Sequence, residues 1–397
     1  MITLVTGILA AILSSYTLYL LLLTVAASRV KVQKIDNKLP RKRLAVLIPA
    51  HNEEQVIART LRSVLQARYP HALLDCWVIA DNCSDHTAEI ARAEGAQVLE
   101  RYDNINKGKG YALEYGFEKL LMQKPKYEGF MILDADTVID LNALEVASTY
   151  LEYGHQVIQL SDMVEQQESS WSNESIRTGF ILYNYVRPLG RKYFGLSAGL
   201  RGNGMIFSRD VITSHPWRSY SLAEDLEYGL NLLLEDESVV FAPEATVWAR
   251  MTQSSENAES QRRRWEIGRF PVMKKYIPLL LQAAVKKRRW KFADACLDLT
   301  MPPLVNLILM LAIMALVTFL ASMLSSGSWV PFAISVAGIT AGFAHLFLGL
   351  SVYPDKGVTA GYLLKGLPRY ALWKAMLYLK IMTVGSEKSW VRTTREK

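Results

Sequence analysis

Asp134 and Asp136 flank Ala135 directly after the apolar run Phe130 to Leu133. Two acids at the end of a buried strand could hold a divalent ion against a diphosphate, because Mg2+ takes one or two carboxylates and fills its shell with water and phosphate oxygen; a solvated turn would also use them. Glu224 and Asp225 precede the helical pattern Leu226, Leu230, Leu233. They could supply a general base to a hydroxyl, which needs an acceptor within hydrogen-bond reach, or serve only as acids favoured by a helix dipole. Gln261, Arg262, Arg263, Arg264 and Trp265 place a guanidinium and a flat ring together. That pairing suits phosphate oxygen and a sugar or acceptor face, and equally a basic membrane-surface helix.

Short apolar runs alternating with helical patterns must position these groups. Leu44 to Ile48, Cys76 to Ala80, Gln97 to Leu99 and Phe130 to Leu133 read as strands. Asn52 is expected to cap a helix from about Glu53 to Gln66, with Gln55 completing a capping box, and a further helix is expected from Asp85 to about Ala93. The alternation predicts an α/β domain with a mostly parallel sheet and helices on both faces. Ligands of such sheets bind beyond the carboxyl ends of the strands. Pro49, His51, Asn52, Glu53, Asp81, Asn82, Asp134 and Asp136 all fall there. From Gln156 to about Pro243 the pattern is less regular and glycine-punctuated, and is read as the acceptor-facing half of the same domain.

In order along the chain, these fragments resemble the D, DxD, ED, QxxRW series of the membrane-bound family 2 glycosyltransferases, the branch with cellulose, hyaluronan and poly-N-acetylglucosamine synthases. The resemblance covers roughly residues 43 to 300 and implies a GT-A, Rossmann-like fold. It implies that Asp81, with Asn82, meets the uracil base, that Asp134 contacts the nucleotide sugar, and that Asp136 ligates Mg2+ or Mn2+. Pro49, Ala50, His51, Asn52, Glu53, Glu54 stands where most relatives have Pro-Ala-Tyr-Asn-Glu-Glu, lining the nucleoside; His51 departs from the usual tyrosine, though imidazole can still stack. Asn106, Lys107, Gly108, Lys109, Gly110 resembles the family's Asn-Lys-Gly segment, with Lys107 assigned to the donor; the missing first glycine and terminal Ser or Thr exclude a Walker A loop. Asp225 is implied to be the general base, with Ala223 replacing the usual threonine. Gln261, Arg264 and Trp265 fall to the donor diphosphate, and Trp265, Glu224, Gly202, Asn203 and Gly204 to the acceptor.

Lys and Arg exceed Asp and Glu to give a net charge of +7, which suggests an anionic partner. Three segments without Asp, Glu, Lys or Arg, Ile2 to Ala27, Leu299 to Leu324 and Trp329 to Tyr353, are each long enough for a hydrocarbon core that needs about 20 residues. Basic residues follow the first segment and precede the second, so both flanks are expected in the cytoplasm, with the N-terminus outside and the C-terminus cytoplasmic. A cleaved signal peptide fits the first segment poorly, because its charges follow the apolar run. Cys76, Cys83 and Cys296 are odd in number and lack ligand spacing, as expected of reduced thiols.

The expected organisation is a membrane helix (1–28), a basic linker (29–43), a catalytic domain (44–270), interfacial helices (271–298), a transmembrane hairpin (299–353) turning at Ser325 to Ser328, and an interfacial helix near Tyr370 to Met382 with a basic tail (354–397). The expected function is inverting transfer from a UDP-α-sugar to a membrane-associated acceptor, polyprenyl-diphosphate-linked, at the cytoplasmic face of the inner (plasma) membrane, in cell-surface polysaccharide or glycolipid synthesis with other assembly proteins as partners. A processive β-polysaccharide synthase is the alternative within the class, and an inactive UDP-sugar-sensing scaffold the alternative outside it. Nucleic acid is not an expected partner, since the basic residues cluster at membrane flanks, where the bilayer accounts for them.

Overall fold

A computed structural model describes residues 2–35, 40–124, 126–166, 171–250, 255–324 and 328–354, with the side chains of 2, 3, 171, 172 and 255–267 outside that description. In chain order the elements begin with α1 (Ile2–Ala27), β1 (Leu44–Ala50), α2 (Ile57–Leu65), β2 (Leu74–Asp81), α3 (Thr87–Ala93), β3 (Gln97–Arg101) and α4 (Lys109–Leu121). Next come β4 (Gly129–Ile132), β5 (Thr137–Ile139), α5 (Ala143–Glu152), β6 (Val157–Val164), α6 (Trp171–Phe180), a π-helical turn (Ile181–Val186) and α7 (Arg187–Tyr193). β7 (Met205–Ser208), α8 (Arg209–Ser214), α9 (Glu224–Leu234), β8 (Val240–Ala249), α10 (Ser255–Lys287), α11 (Trp290–Thr300), α12 (Leu304–Leu324) and α13 (Val330–Val352) complete the series. Contacts divide the chain into two units. One is Met1–Lys31, Gln166–Gly195 and Leu297–Glu387, and the other is Val32–Glu165, Leu196–Cys296 and Lys388–Lys397.

The second unit is built on an eight-stranded sheet of order β3-β2-β1-β4-β7-β6-β8-β5. β1 pairs in parallel with β2 and β4, and β2 with β3. These strands are continuous apolar runs because both faces are covered, and Val46, Ile48, Val78 and Met131 have no exposed surface. The other half contains both pairings, yet six of the eight strands run in one direction, as expected of a mostly parallel sheet, and only β7 and β5 are reversed. β7 runs antiparallel to β4 and to β6, and β5 antiparallel to β8, while β6 and β8 are parallel. This reversal matters for the site: an antiparallel neighbour puts its beginning beside the end of β4, and Met205, the first residue of β7, pairs with Ile132, the last of β4. The loop ahead of β7 therefore reaches the rim where β1, β2 and β4 end.

Two helix starts differ from expectation. α2 begins at Ile57, after Val56, with no side-chain cap. Asn52 sits instead at φ 57°, a left-handed conformation that Asn tolerates, and its side chain accepts a bond from Ser84 N at 2.7 Å. α3 begins at Thr87, whose backbone N–H donates to Asp85 Oδ1 at 3.0 Å, so Asp85 closes the turn before the helix. α10 runs unbroken across the expected domain boundary at residues 270 and 271, with Pro271 and Pro278 inside it.

In the first unit α1, α12 and α13 are long and apolar enough to cross a membrane. Small residues bring them close, as in lipid-embedded bundles: a Cβ at Gly338 would lie 2.3 Å from Ser14 Oγ, and Ser14 Oγ donates to the Ile334 carbonyl at 3.0 Å. α6, the π turn and α7 pack with these helices, although the sequence groups residues 166–195 with the catalytic domain. Gly190 of α7 crosses α1 so tightly that a Cβ would stand 2.2 Å from the Leu23 carbonyl oxygen. Buried Arg187 and Arg191 both reach Asp298 Oδ1, at 2.5 and 2.8 Å. The hairpin turn at Ser325 to Ser328 falls largely outside the described residues, and the interfacial helix near Tyr370 to Met382 and the tail fall wholly outside them.

Candidate active site

The ends of β1 and β2 build one side of the rim. Asp81 closes β2 with 6% of its surface exposed and receives Arg101 Nη1 at 2.7 Å and Asn82 Nδ2 at 3.0 Å, both on Oδ1. Burial raises its carboxyl above the usual range even though Arg101 opposes the shift. Asn82 sits at φ 51° and accepts from Asp103 N at 2.9 Å, which ties the β2 end to the loop after β3. His51 Nδ1 lies 2.7 Å from the Asp81 carbonyl oxygen, and Glu53 N donates to Thr87 Oγ1 at 2.7 Å. Pro49, His51, Asn52, Glu53, Asp81 and Asn82 thus share one neighbourhood.

The acidic residues form the other side, and a lysine joins them. Lys109, the first residue of α4, donates to Asp134 Oδ1 at 2.5 Å and to the Gly202 carbonyl at 2.6 Å, and lies 3.9 Å from Glu224 Oε1. Burial opposes its charge, but Asp134, Glu224 and Asp225 outweigh burial and hold the ammonium above the ordinary lysine range. Glu224 and Asp225 open α9. Burial pushes the Glu224 carboxyl up to about 7, with Asp225 and Asp134 acting in the same direction and Lys109 against them. Burial also raises Asp225, opposed by the Leu226 backbone N–H, Lys109 and Arg201. Gly202, at φ 83°, faces this pair: a Cβ there would be 3.2 Å from Asp225 Oδ2.

Asn203 and Asp162 lie beneath that surface. Asn203, 3% exposed, accepts from Asp134 N at 3.1 Å and donates from Nδ2 to Thr137 Oγ1 at 3.0 Å and Asp162 Oδ1 at 3.1 Å. Asp162, near the end of β6, is 7% exposed, and burial together with the charge of Asp134 raises it well above the carboxylate range. Five carboxylates, Asp134, Asp136, Asp162, Glu224 and Asp225, are therefore crowded, with Lys109 bonded to Asp134 and acting on Asp162, Glu224 and Asp225, and Arg201 acting on Asp225. Among the described residues no three His, Cys, Asp or Glu side chains gather as a complete metal cage. Such a cage is not what Mg2+ at a diphosphate requires; a carboxylate-rich, charge-crowded rim fits an ion that takes its remaining ligands from phosphate and water.

Lys107 is exposed on the loop before α4, and it is Lys109, two residues on, that meets the carboxylates. A helix start explains the difference, since the first residue of α4 projects toward the rim while the loop residue does not. Gln261, Arg264 and Trp265 lie along α10, with side chains outside the described residues. Arg101, Arg201 and Asp162 carry no motif; only their pairing in the fold reveals them.

Residues 40–268 match the family described as "Glycosyltransferase like family 2". A probable glycosyltransferase, YdaM of Bacillus subtilis, is 27% identical over 61% of this chain and 59% of its own length. A beta-monoglucosyldiacylglycerol synthase of Trichormus variabilis is 25% identical over 76% of this chain and 65% of that protein. A poly-beta-1,6-N-acetyl-D-glucosamine synthase of Staphylococcus epidermidis is 25% identical over 58% of this chain and 55% of that one. The chain spans about three fifths of the length of the curated relatives it matches. A mannosyltransferase from Pyrobaculum calidifontis, solved with GDP-Man and Mn2+, aligns at a TM-score of 0.50 and 14% identity, covering 84% of this chain and 99% of that one. The shared architecture is the mixed α/β, Rossmann-like GT-A fold.

Proposed function

The chain belongs to glycosyltransferase-like family 2, and from that premise we propose that it transfers a sugar from a UDP-α-sugar to a lipid-borne acceptor with inversion, forming a β linkage. The observation that carries the reading is the convergence of Asp134, Lys109 and the Glu224–Asp225 pair around Gly202. Asp81 and Asn82, with Pro49, His51, Asn52 and Glu53, take the nucleoside. Asp134 meets the nucleotide sugar, and Asp136 would hold Mg2+ or Mn2+, which would offset negative charge on the leaving diphosphate. Lys109 supplies a further positive charge at the same place.

Asp225 accepts the proton of the acceptor hydroxyl as its oxygen bonds to the anomeric carbon. The bond from that carbon to the diphosphate breaks on the opposite face, and UDP leaves. One displacement inverts the configuration. Arg264 steadies the departing diphosphate, and Trp265 offers its ring to the acceptor. On this reading residues 44–270, apart from the segment 166–195, are the catalytic domain, on the cytoplasmic side of the membrane, with 271–298 against the bilayer. The beta-monoglucosyldiacylglycerol synthesis named for the Trichormus relative supports a lipid acceptor; polyprenyl diphosphate is the acceptor we favour.

Incubating the purified chain with a panel of UDP-sugars, and with polyprenyl-diphosphate-linked or diacylglycerol acceptors, should release UDP and leave short, lipid-attached products. Release of GDP alone from a matching GDP-sugar panel would overturn the donor assignment, and high-molecular-weight polymer would replace single addition by a processive synthase.

A further inference from the structure

Asn203 is expected at the acceptor, yet its side-chain amide faces the other way. Oδ1 receives Asp134 N, at the start of the turn that carries Asp136, and Nδ2 donates to Thr137 Oγ1, at the end of that turn, and to Asp162 Oδ1. An amide is asymmetric, so its orientation depends on what its NH2 meets. Asp162 fixes that choice, because a carboxyl oxygen placed at Nδ2 keeps Oδ1 turned toward Asp134. Gln159 secures the loop from the same strand, accepting from Arg201 N at 2.9 Å and donating to the Asn203 carbonyl at 2.7 Å.

We propose that Asp162 and Asn203 are donor-side positioning residues, which clamp the Asp134–Thr137 turn in the register that receives the nucleotide diphosphate. The inference rests on the nucleotide-sugar reading above. Asn203 and Asp162 are 3% and 7% exposed, so neither need touch substrate. Their effect passes through the backbone of Asp134 and through Thr137, which together set where Asp134 and Asp136 point. The clamp joins the end of β4, the start of β5, β6 and the loop before β7, and that loop reaches the others because β7 is reversed.

The test uses the full chain in detergent and measures the affinity for UDP in the presence of Mn2+, the KM for the acceptor, and thermal stability. Asp162→Leu removes the acceptor for Asn203 Nδ2 and should weaken UDP–Mn2+ binding about tenfold, while Asp162→Asn, which keeps an oxygen there, should stay within ~3-fold of the parent. Acceptor KM should be unchanged in both. Should Asp162→Leu not fold, Thr137→Val removes the second partner of the same NH2 at nearly constant volume and should weaken binding in the same direction. Parental UDP–Mn2+ affinity in Asp162→Leu, or in Thr137→Val where the former does not fold, overturns the inference alone. So does a rise in acceptor KM at constant donor affinity. A parent protein that itself fails to bind UDP with Mn2+ overturns the nucleotide reading and this inference with it.

Discussion

Glu224 and Asp225 are adjacent in sequence, yet their surroundings separate their uses. Asp225 stands beside Gly202; burial raises its carboxyl, and the Leu226 N–H, Lys109 and Arg201 oppose that shift. A base must be ionised before it can take a proton, so Asp225→Asn should leave UDP binding intact while transfer falls by roughly 100-fold or more. Transfer within a few-fold of the parent would pass the role of base to Glu224. Glu224 itself bears on stability. Its carboxyl moves from 4.5 to about 7 in the fold, so the folded state favours the protonated form. The corresponding stability is present below pH 4.5 and is lost as pH rises through about 7. Glu224→Gln imitates the protonated form and should raise the melting temperature by a few degrees at pH 8 while changing little at pH 4; an equal shift at both pH values would deny that the carboxyl titrates there. The acidic pairs were legible in the sequence because strand ends and helix starts display them. Asp162 was not, since nothing in Gln159 to Val164 distinguishes a strand carboxylate that meets Asn203 from one that meets water.

Between α4 and the loop before α9 the two halves of the site are held by a glycine. A Cβ on Gly110 would lie 2.1 Å from the Ser219 carbonyl oxygen, so only hydrogen lets that loop rest on the start of α4. Tyr111 stacks on Tyr220 at 4.3 Å and 12°, and Tyr220 OH donates to Glu114 Oε1 at 2.6 Å, fastening the same loop. Gly110→Ala should therefore move the loop that leads into Glu224, cost about 1 to 3 kcal/mol of stability, and lower transfer at saturating substrate. Parental melting temperature and rate in Gly110→Ala would show that the loop can retreat freely. Strands β1, β2 and β4 were readable as buried apolar runs. The start of α2 is not legible in this way, because Asn52 has the residue type of a cap while its left-handed backbone and its bond to Ser84 use it in a turn. Polar α6 and α7 are not legible as partners of the spans, because hydropathy counts Arg187 and Arg191 as charges and cannot see that Asp298 receives both.

At the scale of the whole molecule, sequence charge gives a definite topology to test. A reporter fused after Lys397 should read as cytoplasmic, and a cysteine introduced at Ser326 should react with an impermeant reagent from outside. The reverse pattern would separate the site from cytosolic nucleotide sugar and exclude the proposed donor.

The apolar unit is assembled from Met1–Lys31, Gln166–Gly195 and Leu297–Glu387, and its middle piece interrupts the stretch from which the sheet is made. Gly190 meets the backbone of Leu23, and Gly349 would bring a Cβ within 2.4 Å of a Leu182 methyl. A protein engineer who trims both ends to obtain a water-soluble enzyme therefore leaves behind an internal insert stripped of its neighbours. Residues 32–296 alone should aggregate on expression. The same piece with residues 166–195 replaced by a short polar bridge should elute as a single species in size-exclusion chromatography; monodisperse behaviour of the simply trimmed chain would show that the insert tolerates water without its companions.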